Sequence, residues 1–375
     1  MMGKKKILFI LHVPPPVNGA AIMGQYLKGS KVINQHFETD YINLTASFTL
    51  DKIGKGSLYK TKVVYQILRN TFFALRKKSY DLCYVSLTTR GTGFYKDVLV
   101  VALLKLLNQR IIYHFHNKGV KKFSKKRVNH LLYRFVFKNT KCILLSPRLY
   151  ADIERYVDER NVHYCPNGIE NSTNLDIEIG EDKGADTPCQ FLFLSNMMRE
   201  KGVLELLKAC RILKLRNFSF ECHFIGAWSD ISKDFFEQTV SGLGLGKQVF
   251  AHGRKYHQEK FKFFAQADVF VFPTYYHNEC FPLVLLEAMQ YGLPIITTPE
   301  GAISDMVLQG KTGILTPQKD TAALANAMEK LLRNPLQGQK MGEAGKNRYH
   351  QRYTLSNFEK RMQGILQTVI AANQK

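Results

Sequence analysis

Asp268-Val-Phe-Val-Phe-Pro273, followed after a short loop by Glu279-Cys-Phe-Pro-Leu-Val-Leu-Leu-Glu287, is the stretch on which the reading turns. The first piece is a short run of valines and phenylalanines and predicts a buried strand. In the second, seven residues separate two carboxylates. Pro282 suits the first position of a helix, where a missing N–H costs nothing, so a helix is expected over 282–291. Glu279 then sits on the loop and Glu287 about one and a half turns inside. The helix start between them offers unpaired N–H groups and a partial positive charge, which suit a phosphate. A carboxylate on each flank of a phosphate accepts hydrogen bonds from sugar hydroxyls on one side and ribose hydroxyls on the other.

Upstream and downstream, short apolar runs alternate with longer amphipathic ones. Strands are predicted at 6–12, 81–86, 110–115, 141–146, 190–195, 219–225, 248–252, 268–273 and 293–298. Helices are predicted at 19–29, 58–78, 93–107, 126–138, 147–157, 201–215, 232–243, 258–266, 282–291, 320–333 and 354–371. Such alternation indicates parallel sheets with crossover helices, an α/β architecture. Turn formers and charges dominate 166–190, so the linker is placed there. Two tandem α/β domains are expected to leave a ligand cleft between them.

Length and charge agree with two domains. A chain of 375 residues exceeds one ordinary core. Residues 1–165 carry 29 Lys/Arg against 9 Asp/Glu, a net +20, whereas 166–375 carry 24 against 22. The first half is therefore expected to meet an anionic partner. The seven cysteines are scattered without a C-x-x-C, as in a reducing compartment, which argues against a disulfide framework or zinc site. Lys4-Lys5-Lys6 before the apolar run Ile7–Val13 imitates a signal peptide. The run is short and ends in Pro14-Pro15-Pro16, so a buried first strand is preferred. No apolar segment approaches the ~20 residues that span a bilayer.

Several motifs then line up in order. Pro14–Ala21 (P-P-P-V-N-G-A-A) gives a loop after the first strand, His116 stands in Y-H-F-H-N, and Ser146 opens S-P-R-L-Y-A-D-I. Pro166-Asn167-Gly168-Ile169 precedes Arg199-Glu200-Lys201-Gly202, and Gly301-Ala302 and Lys311-Thr312-Gly313 follow the paired glutamates. Together they resemble the retaining glycosyltransferases of family 4, whose signature is E-x7-E. The resemblance runs over nearly the whole chain. It implies the GT-B fold, two Rossmann-like α/β/α domains facing across a cleft. The first domain (1–165) would bind the acceptor and the second (166–355) the nucleotide-sugar donor, with a C-terminal helix (356–375) packing back on the first.

By that resemblance Glu279 holds the hydroxyls of the transferred sugar, Glu287 the ribose and Lys201 the donor diphosphate. His116 touches sugar or acceptor. Donor contacts extend to Phe281, Leu283 and Gly19, and Arg254, just after strand 248–252, is placed to approach the base. Departure of a nucleoside diphosphate develops negative charge, which preorganised cations and N–H groups stabilise. No D-x-D occurs, so no metal or other cofactor is expected, and the donor is UDP- or GDP-linked. The family's usual arginine five residues before the lysine is Asn196 here, and Pro282, Asn18-Gly19 and Asp305 depart from the family's usual glycine, paired glycines and glutamate.

His114-Phe115-His116 is expected to put one histidine on each face of a strand end. Gly242-Leu-Gly244-Leu-Gly246 has the wrong spacing for a dinucleotide fingerprint and precedes a strand, so it reads as a loop. Segments 52–78 and 118–138 mix Lys and Arg with Leu, Tyr and Phe, the pattern of a helix on an anionic lipid surface. No nucleic-acid module is recognisable. The expectation is a cytoplasmic glycosyltransferase, peripheral on the inner face of the membrane, with a glycan or lipid-linked sugar as acceptor. The alternatives are a nucleotide-sugar epimerase of the same fold, or a non-catalytic module binding membrane or polyanion.

Overall fold

The computed structural model describes residues 3–45, 57–172 and 187–372; residues 52–56 of the first basic segment and most of the expected 166–190 linker lie outside them. The chain divides into two units, Met1–Asn167 with Leu355–Lys375, and Gly168–Thr354.

In the first unit β1 (Lys6–Leu11), β2 (Glu38–Asn43), β3 (Leu82–Ser86), β4 (Ile111–His114), β5 (Lys141–Leu144) and β6 (Val162–Tyr164) pair in the order β2-β1-β3-β4-β5-β6. All the pairings are parallel. The apolar runs of β1, β3 and β4 are buried almost end to end, as strands covered on both faces require. The chain begins mid-sheet at β1, adds β2 to one side, then crosses to build the other. The topological switch lies between β1 and β3. The last helix, Leu355–Ala371, belongs to this unit and lies against the helix Lys31–His36. Arg110 Nη2 donates to its Val369 carbonyl at 2.6 Å.

The second unit repeats the plan. Here β7 (Cys189–Leu194), β8 (Phe220–Ile225), β9 (Val249–Ala251), β10 (Val269–Phe272), β11 (Ile295–Thr297) and β12 (Gly313–Leu315) pair in the order β12-β11-β10-β7-β8-β9. These pairings are also parallel, and the switch lies between β7 and β10.

Some elements differ from the sequence reading. The 147–157 helix is a short 3₁₀ turn, Pro147–Asp152, capped by the Ser146 hydroxyl, which accepts the Arg148 N–H at 3.1 Å. β2 was not expected, because Glu38-Thr-Asp-Tyr-Ile-Asn43 is a half-exposed edge strand. Its Tyr41 stacks on Phe9 at 5.2 Å. β6, β12 and the helices Lys31–His36 and Pro335–Arg352 were also unexpected. Pro335–Arg352 holds Gly338, Gly342 and Gly345, which propensity alone disfavours. Packing overrides that cost, since a Cβ on Gly342 would meet the Gly292 carbonyl oxygen at 1.7 Å. Gly242–Gly246 is the loop from the helix Lys233–Gly242 into β9. Among the described residues no helix is long and apolar enough to cross a membrane, and no disulfide joins any of the seven cysteines.

Candidate functional site

The switch point of the second unit gathers residues distant in sequence. β7 and β10 are neighbours, so the segments leaving their C-terminal ends emerge side by side. The segment after β7 carries Asn196 and the turn Arg199–Lys201; the segment after β10 carries Tyr276 and Glu279. Lys201 Nζ forms an ion pair with Glu279 Oε2, across 78 residues of sequence. Both side chains are largely buried, at 13% and 11% exposure. The ammonium also lies 4.6 Å from the Tyr276 ring centre and 5.4 Å from that of Phe272. Aromatic faces on two sides strengthen a cation's electrostatics by excluding water.

Two glycines make this approach of backbones feasible. Gly202 follows Lys201 at φ +82°, and a Cβ there would fall 2.3 Å from the Pro273 carbonyl oxygen. Gly301 (φ +56°) would likewise put a Cβ 2.3 Å from the Glu279 carbonyl oxygen. Hydrogen bonds complete the clamp. The Tyr275 N–H donates to Glu200 O at 2.8 Å, and the Ala302 N–H to Cys280 O at 2.8 Å. The E-K-G and G-A motifs are thus backbone contacts around one loop.

The helix after Glu279 begins one residue later than expected. It runs Leu283–Gln290, with Pro282 as its N-cap rather than its first helical residue. Its first N–H groups have no intrahelical partner. Glu287 lies in its second turn and pairs with Lys260 Nζ at 2.7 Å. Both members are about one-fifth exposed. Lys260 was missed by the sequence reading; it sits on the helix His257–Gln266, 27 residues away, and no local pattern marks it. Phe281 is buried edge-on against Tyr353 at 5.8 Å, and Leu283 is half-buried. Asn196 and Arg254 are exposed, the latter stacked on Tyr256 at 5.2 Å.

His116 and Gly19 belong to the first unit. Gly19 is the exposed first residue of the helix Gly19–Gly29, behind the Asn18 cap, whose side chain accepts the Ala21 N–H at 3.0 Å. His114 and His116 do not lie on opposite faces. Side chains two apart in a strand share a face, and the two rings sit 4.2 Å apart. His114 is fully buried, its Nδ1 2.6 Å from the Tyr84 hydroxyl. Burial, with His12 adding, pushes His116 down to about 3. His12, just past β1, is pushed down to about 4 by burial, with the buried Asp97 carboxylate opposing. His116 Nδ1 has no hydrogen-bond partner among the described residues. This end of the unit therefore presents neutral imidazoles, and His12 is a member that the motifs did not reveal.

Among the described residues no group of three or more His, Cys, Asp or Glu is arranged to hold a metal ion.

Comparison with known proteins meets the second unit first. Residues 177–348 match the family model "Glycosyl transferases group 1". The chain is 33% identical over 156 residues to the D-inositol 3-phosphate glycosyltransferase of Arthrobacter sp. (strain FB24), covering 41% of this chain and 36% of that one. It is 24% identical over 187 residues to the capsular polysaccharide biosynthesis glycosyltransferase CapM of Staphylococcus aureus, covering 48% and 47%. It thus spans between a third and a half of the length of these two relatives. Among solved structures, Anabaena Alr3699/HepE in complex with UDP and glucose superposes with a TM-score of 0.70 at 16% identity, over 97% of this chain and 99% of that one. That likeness is one of fold, the two-domain α/β fold of the GT-B glycosyltransferases.

Proposed function

We propose that the chain is a glycosyltransferase that moves a sugar from a nucleoside diphosphate donor, UDP- or GDP-linked, to a glycan or lipid-linked acceptor with retention at the anomeric carbon. The observation that carries this reading is the Lys201–Glu279 pair at the β7/β10 switch, inside the segment that matches the glycosyl transferases model. In the unliganded protein the carboxylate occupies the lysine. An arriving diphosphate takes its place, which frees Glu279 to accept hydrogen bonds from the sugar hydroxyls. The anomeric C–O bond then breaks, and its electron pair goes to the phosphate oxygen. Lys201 and the helix N–H groups stabilise the developing charge. The acceptor oxygen bonds to the anomeric carbon from the same side, and its proton passes to the departing phosphate oxygen. No metal is required in this scheme. Asn196 supplies a neutral hydrogen bond where the related enzymes carry a cation.

Glu287 is assigned to the ribose hydroxyls, with Lys260 holding its carboxylate, and Arg254 to the base. His116, uncharged at neutral pH, is assigned a hydrogen bond to sugar or acceptor. Phe281 and Leu283 complete the proposed donor contacts of the second unit. Likeness to the capsular polysaccharide biosynthesis glycosyltransferase supports a role in surface polysaccharide assembly, which would place the enzyme at the inner face of the cytoplasmic membrane.

The test is product analysis with labelled UDP- and GDP-sugars. Label reaching a glycan or lipid acceptor in wild type, and lost in Glu279→Ala, supports the reading. Conversion of the donor without acceptor would make the chain an epimerase. Absence of either reaction, with nucleotide still bound, would make it a binding module.

A further inference from the structure

The first unit carries an apolar groove that no part of the proposed chemistry uses. It measures ≈ 920 Å³ and lies among the helices Ser57–Lys77, Gly91–Leu106 and Arg127–Phe137. Phe72, Phe73, Leu99, Leu106 and Phe135 line it. These side chains are 40%, 56%, 50%, 79% and 41% exposed, unusual for large apolar groups on one face. Val128 and Leu131 extend the same stripe of the third helix, at 66% and 61%. Their spacing with Phe135, three and four residues, is that of a helix face turned to solvent.

Charge selects the occupant. Residues 57–77 contain five Lys/Arg and no Asp/Glu, and residues 127–137 contain two and none. The single acid of the middle helix, Asp97, is fully buried and paired with Lys96 at 2.6 Å. At the groove itself the Arg69 guanidinium lies over the Phe73 ring (5.4 Å) and Lys105 Nζ near the Phe135 ring (5.6 Å). Aromatic and aliphatic side chains flanked by these two cations, on helices of one charge sign, match acyl chains beneath phosphate headgroups. A second copy of this strongly cationic unit would bring like charges together, and a nucleic acid would leave the apolar floor unused.

We infer that the groove among these three helices is a docking surface for an anionic lipid bilayer. The inference sharpens the membrane location proposed above but stands on the first unit alone, and its readout involves no sugar transfer. The full chain is co-sedimented with vesicles of phosphatidylcholine, with and without phosphatidylglycerol, at low and high salt. Wild type should partition to the anionic vesicles, and high salt should weaken it. Leu106→Asp and Phe73→Asp, both at exposed positions, should each lose on the order of tenfold or more in partitioning. Arg69→Gln should lose roughly fivefold on anionic vesicles only. Leu215→Asp, at an exposed leucine of the second unit, should bind as wild type. Circular dichroism and melting confirm folding of each variant, and the salt dependence of wild type tests the idea without any variant. Equal binding to neutral vesicles, no binding, or unchanged binding of Leu106→Asp overturns it. Self-association in sedimentation velocity that Leu106→Asp abolishes would also overturn it, giving the groove to a second copy.

Discussion

The two units use one plan, six parallel strands with a switch point beside the first strand, yet the strand ends around that point carry opposite chemistry. Near the β1 and β4 ends burial strips charge from His12, His114 and His116. At the β7/β10 ends stand ion pairs, Lys201–Glu279, with Lys260–Glu287 on the helices beyond. The topology therefore offers a location, and the side chains decide what it does. A site that stores paired charges suits a ligand that is itself charged, since the ligand replaces a partner instead of stripping water from a bare ion. Neutral imidazoles suit hydroxyl groups.

The strongest way to break this contrast is to remove the cation. Lys201→Ala should lower kcat/KM for sugar transfer by about 10²–10³, the effect of losing one preorganised transition-state donor. A change below tenfold would place leaving-group stabilisation elsewhere.

Acid should separate the units next. In the unfolded chain these histidines bind protons near their ordinary 6.5, whereas in the fold His12 and His116 do so only near 4 and 3. Their stabilising contribution is complete above pH 6.5 and declines as pH falls toward 4, by roughly 2 kcal/mol per histidine by pH 5. Trp228, the only tryptophan, lies in the second unit against Phe236. Far-UV circular dichroism should begin to change at a higher pH than Trp228 fluorescence. Coincident transitions would count against the contrast.

Gly301→Ala should cost about 2 kcal/mol of stability in denaturant melts, because the added methyl must displace the loop bearing Glu279 from a left-handed backbone position. The smallest effect expected is that of Lys260→Met. It should raise the donor KM about threefold with kcat nearly unchanged, since it loosens a carboxylate on a part of the donor that does not react. A fall in kcat would move Lys260 into the chemistry.

How far the sequence foretold this differs by element. The buried strands β1, β3, β4 and β10 were legible because strands covered on both faces are continuous apolar runs. β2 was not, because an edge strand needs only one apolar contact per turn of pattern, here Tyr41 on Phe9. Pro335–Arg352 was hidden by glycines whose value lies in a neighbour 50 residues upstream, Gly292 for Gly342. Glu279 and Lys201 were legible through motifs, but their direct pairing was not, since only the β7–β10 adjacency brings them together. His114 and His116 were legible and misjudged; a period of two puts both on one face.

The proposed chemistry requires that Glu279 occupies Lys201 until a diphosphate displaces it. Calorimetric titration of UDP and GDP into wild type, Lys201→Ala and Glu279→Gln tests it most directly. Affinity for the free nucleoside diphosphate should fall at least about tenfold in Lys201→Ala, the scale of one charged hydrogen bond. It should rise in Glu279→Gln, where no carboxylate competes for the ammonium. Equal affinity in all three proteins would contradict the claim.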